Sequence, residues 1–428
     1  MRLYRALASL ALAAYAPFAL LRSLAGGRRL GDIRGRLGLK PFPDLDGGIW
    51  IHAVSVGEVG VARNLLQAVR RRLPDCPVGI SVTTEAGREL AESSLSDHAA
   101  IFPFPFELAG PVERSLAQVR PSLVLLTETE IWPLFLERAS GLGIPVALVN
   151  GRISSRSFAR YRLVRRFLAE SLSRIALFSM QSAEDARRME ALGAAPERIR
   201  NYGNLKYDSA EAALFPDADR LARAAAGRAV LVAGSTGEGE ESLVLDAWER
   251  LPNRPLLVLA PRRPERFDEV ARLVENRGLR LLRRSPPDPR LPPSDSPIDV
   301  YLLDSIGELA SIYRCASLAF IGGSLVDTGG QNPIEAWAAG IPVIAGAHME
   351  NFREIAARGQ ELRILHRAHS REELSDRIAE ALAAPEETSR RGAEAARFVA
   401  ASRGAADRTA AAILDLVPGL SSRRASAP

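Results

Sequence analysis

Cysteine is almost missing from this 428-residue chain. Cys76 and Cys315 lie far apart with no C-x-x-C spacing, which excludes a disulfide scaffold and fits a reducing compartment. Both read as small buried hydrophobes. Histidine is also scarce. His52, His98, His348, His366 and His369 form no H-E-x-x-H or other compact ligand spacing, so no metal is expected. The D-x-D pairs Asp44/Asp46 and Asp217/Asp219 lie in linker-like segments near proline and read as solvated turns. Aromatic residues make up 6% and are not interleaved with basic ones, so no base-stacking platform and no nucleic-acid partner is expected. The formal charge of +5, from 56 basic and 51 acidic residues, agrees. Lysine occurs only at Lys40 and Lys206; 56 minus these two leaves 54 arginines. No cofactor is implied by any of these patterns.

No apolar run reaches the roughly 20 residues that span a bilayer. The longest uncharged stretch, residues 6–21, has sixteen residues and contains Pro17. Arg2 and Arg5 precede it, and Arg22, Arg28, Arg29, Arg34 and Arg36 follow. A signal peptide fits poorly with the arginine cluster behind the apolar part. The expectation is a hydrophobic helix that enters or lies along a membrane, its arginines against anionic headgroups, with a short single span left open.

With 47% hydrophobic and 25% charged residues the chain is globular, and its length suggests two or three domains. Apolar runs alternate with helical patterns. "GGIWIHAVS", "VGISVTT", "LVLLTETE", "PVALVNG", "IALFSMQ" and "RIRNYGN" come first; "AVLVAGS", "PLLVLAP", "LRLLRRS", "DVYLLD", "LAFIGG" and "IPVIAG" follow. These runs are too continuously apolar to be half solvated, which predicts parallel sheets covered on both faces. The resulting organisation is a membrane-associating segment at 1–37, an α/β domain at 38–205, a linker at 206–228, a second α/β domain at 229–417 and a frayed tail at 418–428. The last helices of the second domain are free to pack back on the first. "SPPDPRLPPSDSP" at 285–297 reads as a surface loop.

Chemistry concentrates in loops beyond strand ends, where ligands bind in such sheets. In "HAVSVGEVG", Glu58 follows Ser55 and the flexible Gly57 at a strand-to-helix turn. It reads either as a solvated helix-start acid or as a proton acceptor aimed into a cleft. "TETEIWP" carries Glu128 and Glu130; on a continuing extended path both share one face, which leaves open which of them meets a ligand. "NGRISSRS" offers Asn150, Arg152 and Arg156, and Lys206 in "GNLKYD" supplies a compact ammonium in an arginine-biased chain. In the second half, "VAGSTGEGEESL" gives Ser235 and Thr236 in a flexible turn with capping spacing from Ser235 to Glu238. It is not a P-loop, since no G-K-[ST] closes it. Arg262 and Arg263 could grip an anion bidentately. Ser305 reads as a helix cap with Glu308 at the third position. In "GGSLVDTGGQNPIEAW", Gly322 and Gly323 end a strand. Asn332 and Glu335 make either a capping box or a ligand site, in which N–H groups at Gly329, Gly330 and Gln331 receive a phosphate and Glu335 a ribose diol.

Taken in order, "HAVSVGEV", "TETEIWP", "NGRISSRS", "GNLKYD", "GSTGEGEE", "PRRPERF", "LLDSIGEL" and "GGSLVDTGGQNPIEAWAAGIPVI" make the chain, from its apolar start to about residue 400, resemble the 3-deoxy-D-manno-octulosonic acid (Kdo) transferases. The resemblance implies an inverting glycosyltransferase of GT-B fold, two Rossmann-like α/β domains facing a central cleft. It implies transfer of Kdo from CMP-Kdo to a phosphorylated lipid A precursor at the cytoplasmic face of the inner membrane, in contact with anionic lipids. Glu58 would be the general base, with Glu130 a second catalytic residue. Ser55, Gly57, Arg152, Arg156 and Lys206 would line the acceptor side. Ser235, Thr236, Arg262, Arg263, Gly307, Glu308, Gly323, Ser324, Gln331, Asn332 and Glu335 would bind the donor. Gly237, Arg263 and Gln331 stand where that family usually carries histidine. The alternatives are a sugar-nucleotide epimerase of the same fold, a transferase using another nucleotide sugar, and a non-catalytic binder of lipid A precursor. Oligomeric state is left open.

Overall fold

The computed structural model describes residues 33–208, 214–285 and 297–422. The apolar stretch at 6–21, the arginines up to Arg29, most of the loop at 285–297 and the end of the tail lie outside the described residues. Among the described residues, no helix is long and apolar enough to cross a membrane. Arg36 donates from Nε to the Phe104 carbonyl at 3.1 Å and sits 4.2 Å above the Phe106 ring.

The chain divides into two units, residues 1–208 with 402–428, and residues 209–401. In the first unit the strands are β1 (Ile49–Ala53), β2 (Val78–Val82), β3 (Ala100–Pro103), β4 (Leu123–Thr127), β5 (Val146–Gly151), β6 (Leu177–Met180) and β7 (Ile199–Asn201). They form one sheet in the order β3-β2-β1-β4-β5-β6-β7, every described pairing parallel. β1, β2, β4 and β5 are buried at every position. That explains their unbroken apolar runs, since helices cover both faces. One face packs Ile49, Ile51, Leu125 and Val149 against Val59, Ala62 and Leu66 of helix α1 (Val56–Arg72). The other packs Trp50, Val124, Leu126 and Leu148 against Phe135 and Leu136 of α2 (Pro133–Gly141). Two basic helices follow β5: α3 (Ser155–Leu163) and α4 (Arg165–Leu172).

In the second unit, β8 (Val230–Thr236), β9 (Leu256–Pro261), β10 (Leu281–Arg283), β11 (Val300–Leu302), β12 (Leu318–Ile321), β13 (Val343–Ala345) and β14 (Leu365–Arg367) form a second parallel sheet, ordered β10-β11-β9-β8-β12-β13-β14. Residues 218–225, read from sequence as linker, are instead helix α5 (Ala218–Ala225), which buries Leu221, Ala224 and Ala225. The alanine and charge content that resembled a linker is one strongly amphipathic face and its solvated reverse. Helix α6 (Glu240–Glu249) follows β8, and the short α7 (Ile334–Ala338) follows β12.

The chain then returns to the first unit. Helix α8 (Ala405–Leu414) packs on α1 through Ala405, Ala406, Ala410 and Ile413, and Thr409 shares a buried 2.8 Å hydrogen bond with Ser179 of β6. The second unit therefore ends at 401 rather than 417. The frayed tail expected from Pro418 is also corrected: α9 (Pro418–Ser422) buries Leu420 against the first unit's core. Proline at a first helical position starts a helix as readily as it stops one. Cys76 and Cys315 are only half buried, not core residues.

β1 is registered to β2 through Ile49 N–H donating to the Pro77 carbonyl at 2.9 Å. Preceding it, Gly48 leaves no room for a side chain, since a Cβ there would lie 2.1 Å from the Pro77 oxygen. Gly48→Ala is expected to destabilise the protein by about 1–3 kcal/mol. Urea unfolding followed by circular dichroism measures this, and an unchanged midpoint would refute the packing argument.

Candidate functional site

In both sheets the strand order reverses beside the first strand, between β1 and β4 and between β8 and β12. Such reversal points open a crevice at the carboxyl ends of the strands, the usual ligand position in doubly wound sheets.

At the first reversal, Ser55 begins α1 and Glu58 lies in its first turn. Glu58 is 7% exposed. One carboxylate oxygen accepts from Val54 N–H at 2.9 Å and from the Thr127 hydroxyl at 2.6 Å, and the other accepts from the Ser55 hydroxyl at 3.0 Å. Thr127 closes β4, so the glutamate ties β1 to β4. It is therefore neither a solvated helix-start acid nor a free one. Burial raises its pKa above the ordinary glutamate value, and the charge of Glu128 adds to this, against the three hydrogen bonds.

Glu128 and Glu130 do not continue an extended path. Glu128 has φ +53°, which breaks the strand path just after β4. Lys206 Nζ meets Glu128 at 2.7 Å, with Arg152 at 3.9 Å. Glu130 is pushed up to about 7 by burial and then by the charge on Glu58. Lys206 also reaches the start of α1: a Cβ added at Gly57 would be 3.6 Å from its Nζ. The segment is held by Asn150, whose Oδ1 accepts from Leu205 N–H at 2.9 Å, and by Asn64, which donates to the Leu205 carbonyl at 2.7 Å. Thus Ser55, Gly57, Glu58, Glu130, Arg152 and Lys206 gather around one strand reversal. Arg156 lies in the first turn of α3, exposed. His52, beside them in sequence, is wholly buried, stacked 3.8 Å from the Phe104 ring centroid and held neutral by burial, its pKa near 3.

Sequence reasoning missed Glu107. Its carboxylate accepts from Leu134 N–H at 2.6 Å and Phe135 N–H at 3.4 Å, capping α2 from a distant loop. Burial pushes it from 4.5 up to about 7. No local spacing announces such a cap.

The second reversal departs more from expectation. α6 starts at Glu240 behind Gly239, so Ser235 and Glu238 make no capping box. Ser235 has φ +56°. The Thr236 hydroxyl is buried and donates to Glu241 at 2.8 Å, and Glu241 in turn holds Arg266 at 2.8 Å. Ser324 is fully buried, its hydroxyl donating to the Ile321 carbonyl and accepting from Gly346 N–H at 2.7 Å. Both hydroxyls are thus engaged within the fold. The N–H groups of Gly323 and Ser324 are also taken, both by Glu240. Gly330, expected to offer its N–H to a phosphate, donates instead to the Gly323 carbonyl at 2.7 Å.

Asn332 is not the helix cap, since Pro333 precedes α7; its side chain accepts from Ile334 N–H at 3.0 Å. Ser305 likewise caps no helix. Its hydroxyl donates to Glu308, which also takes two bonds from Arg284 at 3.0 and 2.9 Å; the exposed Gly307 lies between them with φ +85°. Arg262 and Arg263 are exposed beyond β9 and form no ion pair with a described residue. Gln331 packs on Gly323, and Glu335 lies in the first turn of α7. Among the described residues, one grouping has metal-ligand geometry: Asp327, His348 and Glu350, on the surface. Sequence spacing gave no sign of it.

Two parallel sheets of Rossmann type, each with polar side chains gathered beyond the strand ends at its reversal, define a protein of the GT-B class. A solved glycosyltransferase of kitacinnamycin shares this fold at TM-score 0.53, covering 89% of this chain and 100% of that one at 15% identity. A UDP-GlcNAc 2-epimerase from Neisseria meningitidis shares it at TM-score 0.51, covering 87% and 100% at 12% identity. Residues 28–209 match the model of the 3-deoxy-D-manno-octulosonic-acid transferase (kdotransferase) family, and residues 298–398 that of glycosyl transferases group 1. The 3-deoxy-D-manno-octulosonic acid transferase of Bordetella pertussis is 36% identical, over 89% of this chain and 90% of its own. That of Haemophilus influenzae is 34% identical, over 86% of each. The chain belongs to the Kdo transferase family of glycosyltransferases.

A glutamate with a pKa near 7 in the folded state and 4.5 as a free side chain favours folding only while it is neutral. That stabilisation is complete below pH 4.5 and lost as pH passes about 7. For Glu107 the difference over this window is on the order of 3 kcal/mol. Glu107→Gln is expected to flatten the fall in Tm between pH 5 and pH 8, read by thermal melts. A pH dependence identical to that of the parent protein would refute it.

Proposed function

We propose that this Kdo transferase moves Kdo from CMP-Kdo to a phosphorylated lipid A precursor, with Glu58 as general base. The observation that carries the reading is the seat of Glu58. It is a nearly buried carboxylate with raised proton affinity, at the strand reversal where ligands of such sheets bind, beside Glu130 and Lys206. A sugar hydroxyl is a weak nucleophile and needs a base to take its proton as it attacks. The acceptor oxygen bonds to the anomeric carbon of Kdo as the bond from that carbon to the CMP phosphate oxygen breaks. The proton passes to Glu58, CMP leaves as an anion, and the anomeric configuration inverts. The exposed guanidiniums of Arg262 and Arg263 would meet the anionic donor in the second unit.

Glu58→Gln is expected to lower kcat by 10²–10⁴-fold, as loss of a general base does, with donor binding retained. The acid limb of kcat/KM in the parent enzyme should lie above the ordinary glutamate value, because the base must be ionised and its pKa is raised. Mass spectrometry of product from CMP-Kdo and a tetraacylated, bisphosphorylated acceptor measures both. Undiminished turnover by the variant would remove Glu58 from this role, and product formed from donor alone would favour an epimerase.

We further propose that the enzyme works at the inner membrane's cytoplasmic face, with the first unit against anionic lipid. Two features support this. Helix α3 has no buried residue, and Leu163 at its end and Val164 just beyond are 87% and 51% exposed. Arg156, Arg160, Arg162, Arg165 and Arg166 surround them, exposed, and none forms an ion pair with a described residue. Apolar tips ringed by cations suit an anionic interface, at about 1 kcal/mol per basic residue near the surface. Replacing Arg160, Arg162, Arg165 and Arg166 by glutamine is expected to weaken flotation with phosphatidylglycerol vesicles at least tenfold while leaving the fold intact by circular dichroism. Equal flotation would reject the surface.

A further inference from the structure

Helix α6 opens with Glu240, a fully buried carboxylate that no sequence pattern singled out. One oxygen accepts from Gly237 N–H at 2.9 Å and Gly323 N–H at 2.6 Å. The other accepts from Ser324 N–H at 2.9 Å and Leu325 N–H at 2.8 Å. Gly237 belongs to the turn after β8; Gly323, Ser324 and Leu325 belong to the turn after β12. These two turns flank the strand reversal of the second sheet. Four backbone donors converging on one point form the kind of nest that elsewhere receives a phosphate. Here the chain fills the nest with its own anion.

The packing around it leaves no slack. A Cβ on Gly322 would lie 2.3 Å from the Ser235 carbonyl oxygen, and one on Gly346 would lie 2.1 Å from the Ser324 carbonyl oxygen. The Gly323 carbonyl accepts from the Thr328 hydroxyl at 2.9 Å and from Gly330 N–H, which passes the constraint on to the turn before α7. Close-fitted buried backbone needs an acceptor for each N–H, and the carboxylate supplies one for the buried Gly323 and Ser324 as well as for the half-buried Gly237 and Leu325.

We infer that Glu240 is a positioning residue for the nucleotide-sugar donor: its carboxylate fastens the two turns at the strand reversal, so that the donor meets a preformed surface rather than ordering it on binding. This rests on the reading that CMP-Kdo is the donor and that it binds at this reversal. Glu240 touches no substrate in this role. It fixes the residues that can, among them Ser235 and, through Gly323, Gln331. Preorganisation of this kind is felt in donor affinity more than in the chemical step.

The test uses the full-length enzyme, with CMP as binding probe and CMP-Kdo as donor. Glu240→Gln keeps the length of the side chain but sets an NH2 group against two N–H donors. It is expected to raise KM for CMP-Kdo and Kd for CMP tenfold or more, the scale of one lost charged hydrogen bond, with kcat changed less than threefold. Glu240→Asp, which retains the charge and loses reach, should fall between. A lower Tm with KM and Kd unchanged would make the residue merely structural and overturn the inference. Hydrogen exchange on the parent enzyme gives a readout independent of any variant. The N–H groups of Gly323, Ser324 and Leu325 should be protected before CMP is added; protection appearing only with CMP would overturn the inference too. If the parent enzyme neither binds CMP nor uses CMP-Kdo, the donor reading fails, whereas the exchange pattern without ligand still judges the fastening of the turns.

Discussion

A buried glutamate bridges the strand reversal in each half of this molecule. Glu58 stands at the third position of the helix after β1 and ties that strand to β4; Glu240 opens the helix after β8 and ties its turn to the one after β12. A parallel sheet whose order reverses must splay at that point, because the connections on its two sides depart in opposite directions. The backbone ends exposed there need partners, and an acid at the helix start is favoured both by the free N–H groups and by the helix dipole. Burying a charge is expensive unless its oxygens are satisfied. In both places they are, by three donors or by four.

The two solutions differ in one respect that separates structure from chemistry. Glu240 is surrounded by backbone N–H groups. A proton placed on it would face donors and no acceptor, so the surroundings resist protonation even though burial raises its pKa. Glu58 is held by two hydroxyls and one N–H. A hydroxyl rotates and can accept as well as donate, so Ser55 or Thr127 can turn to receive the hydrogen of a protonated Glu58. Its seat therefore suits both charge states, as the proposed role of general base requires.

This contrast also shows where sequence reasoning succeeds and where it stops. Strand runs, their parallel pairing and the acid after Gly57 follow from local pattern, because burial on both faces writes an unbroken apolar run into each strand. Capping spacing misled. Ser235 with Glu238, Ser305 with Glu308 and Asn332 with Glu335 all have the interval, yet none begins a helix as expected. The interval records only that a small polar residue and an acid are near one another. Which backbone groups they meet depends on contacts far along the chain: Glu240 meets Gly323, 83 residues away, and Glu107 meets Leu134, 27 away. The resemblance implies Thr236 and Ser324 as donor contacts, and in the structure both hydroxyls bond within the fold. A hydroxyl in a glycine-rich turn does not reveal whether it faces a ligand or the interior.

The one lysine among the residues described at the first strand reversal illustrates a constraint that composition hinted at and geometry explains. In a chain that otherwise uses arginine, Lys206 places its ammonium over the start of α1, where Gly57 has no side chain. A guanidinium there would be a broad planar fork rather than a compact point charge. The compact charge stays 2.7 Å from Glu128. Glu128 is one of the two influences that raise the proton affinity of Glu58. Lys206 thus pairs with the acid whose charge raises the proton affinity of Glu58, and the missing side chain at Gly57 leaves its ammonium room beside the start of α1.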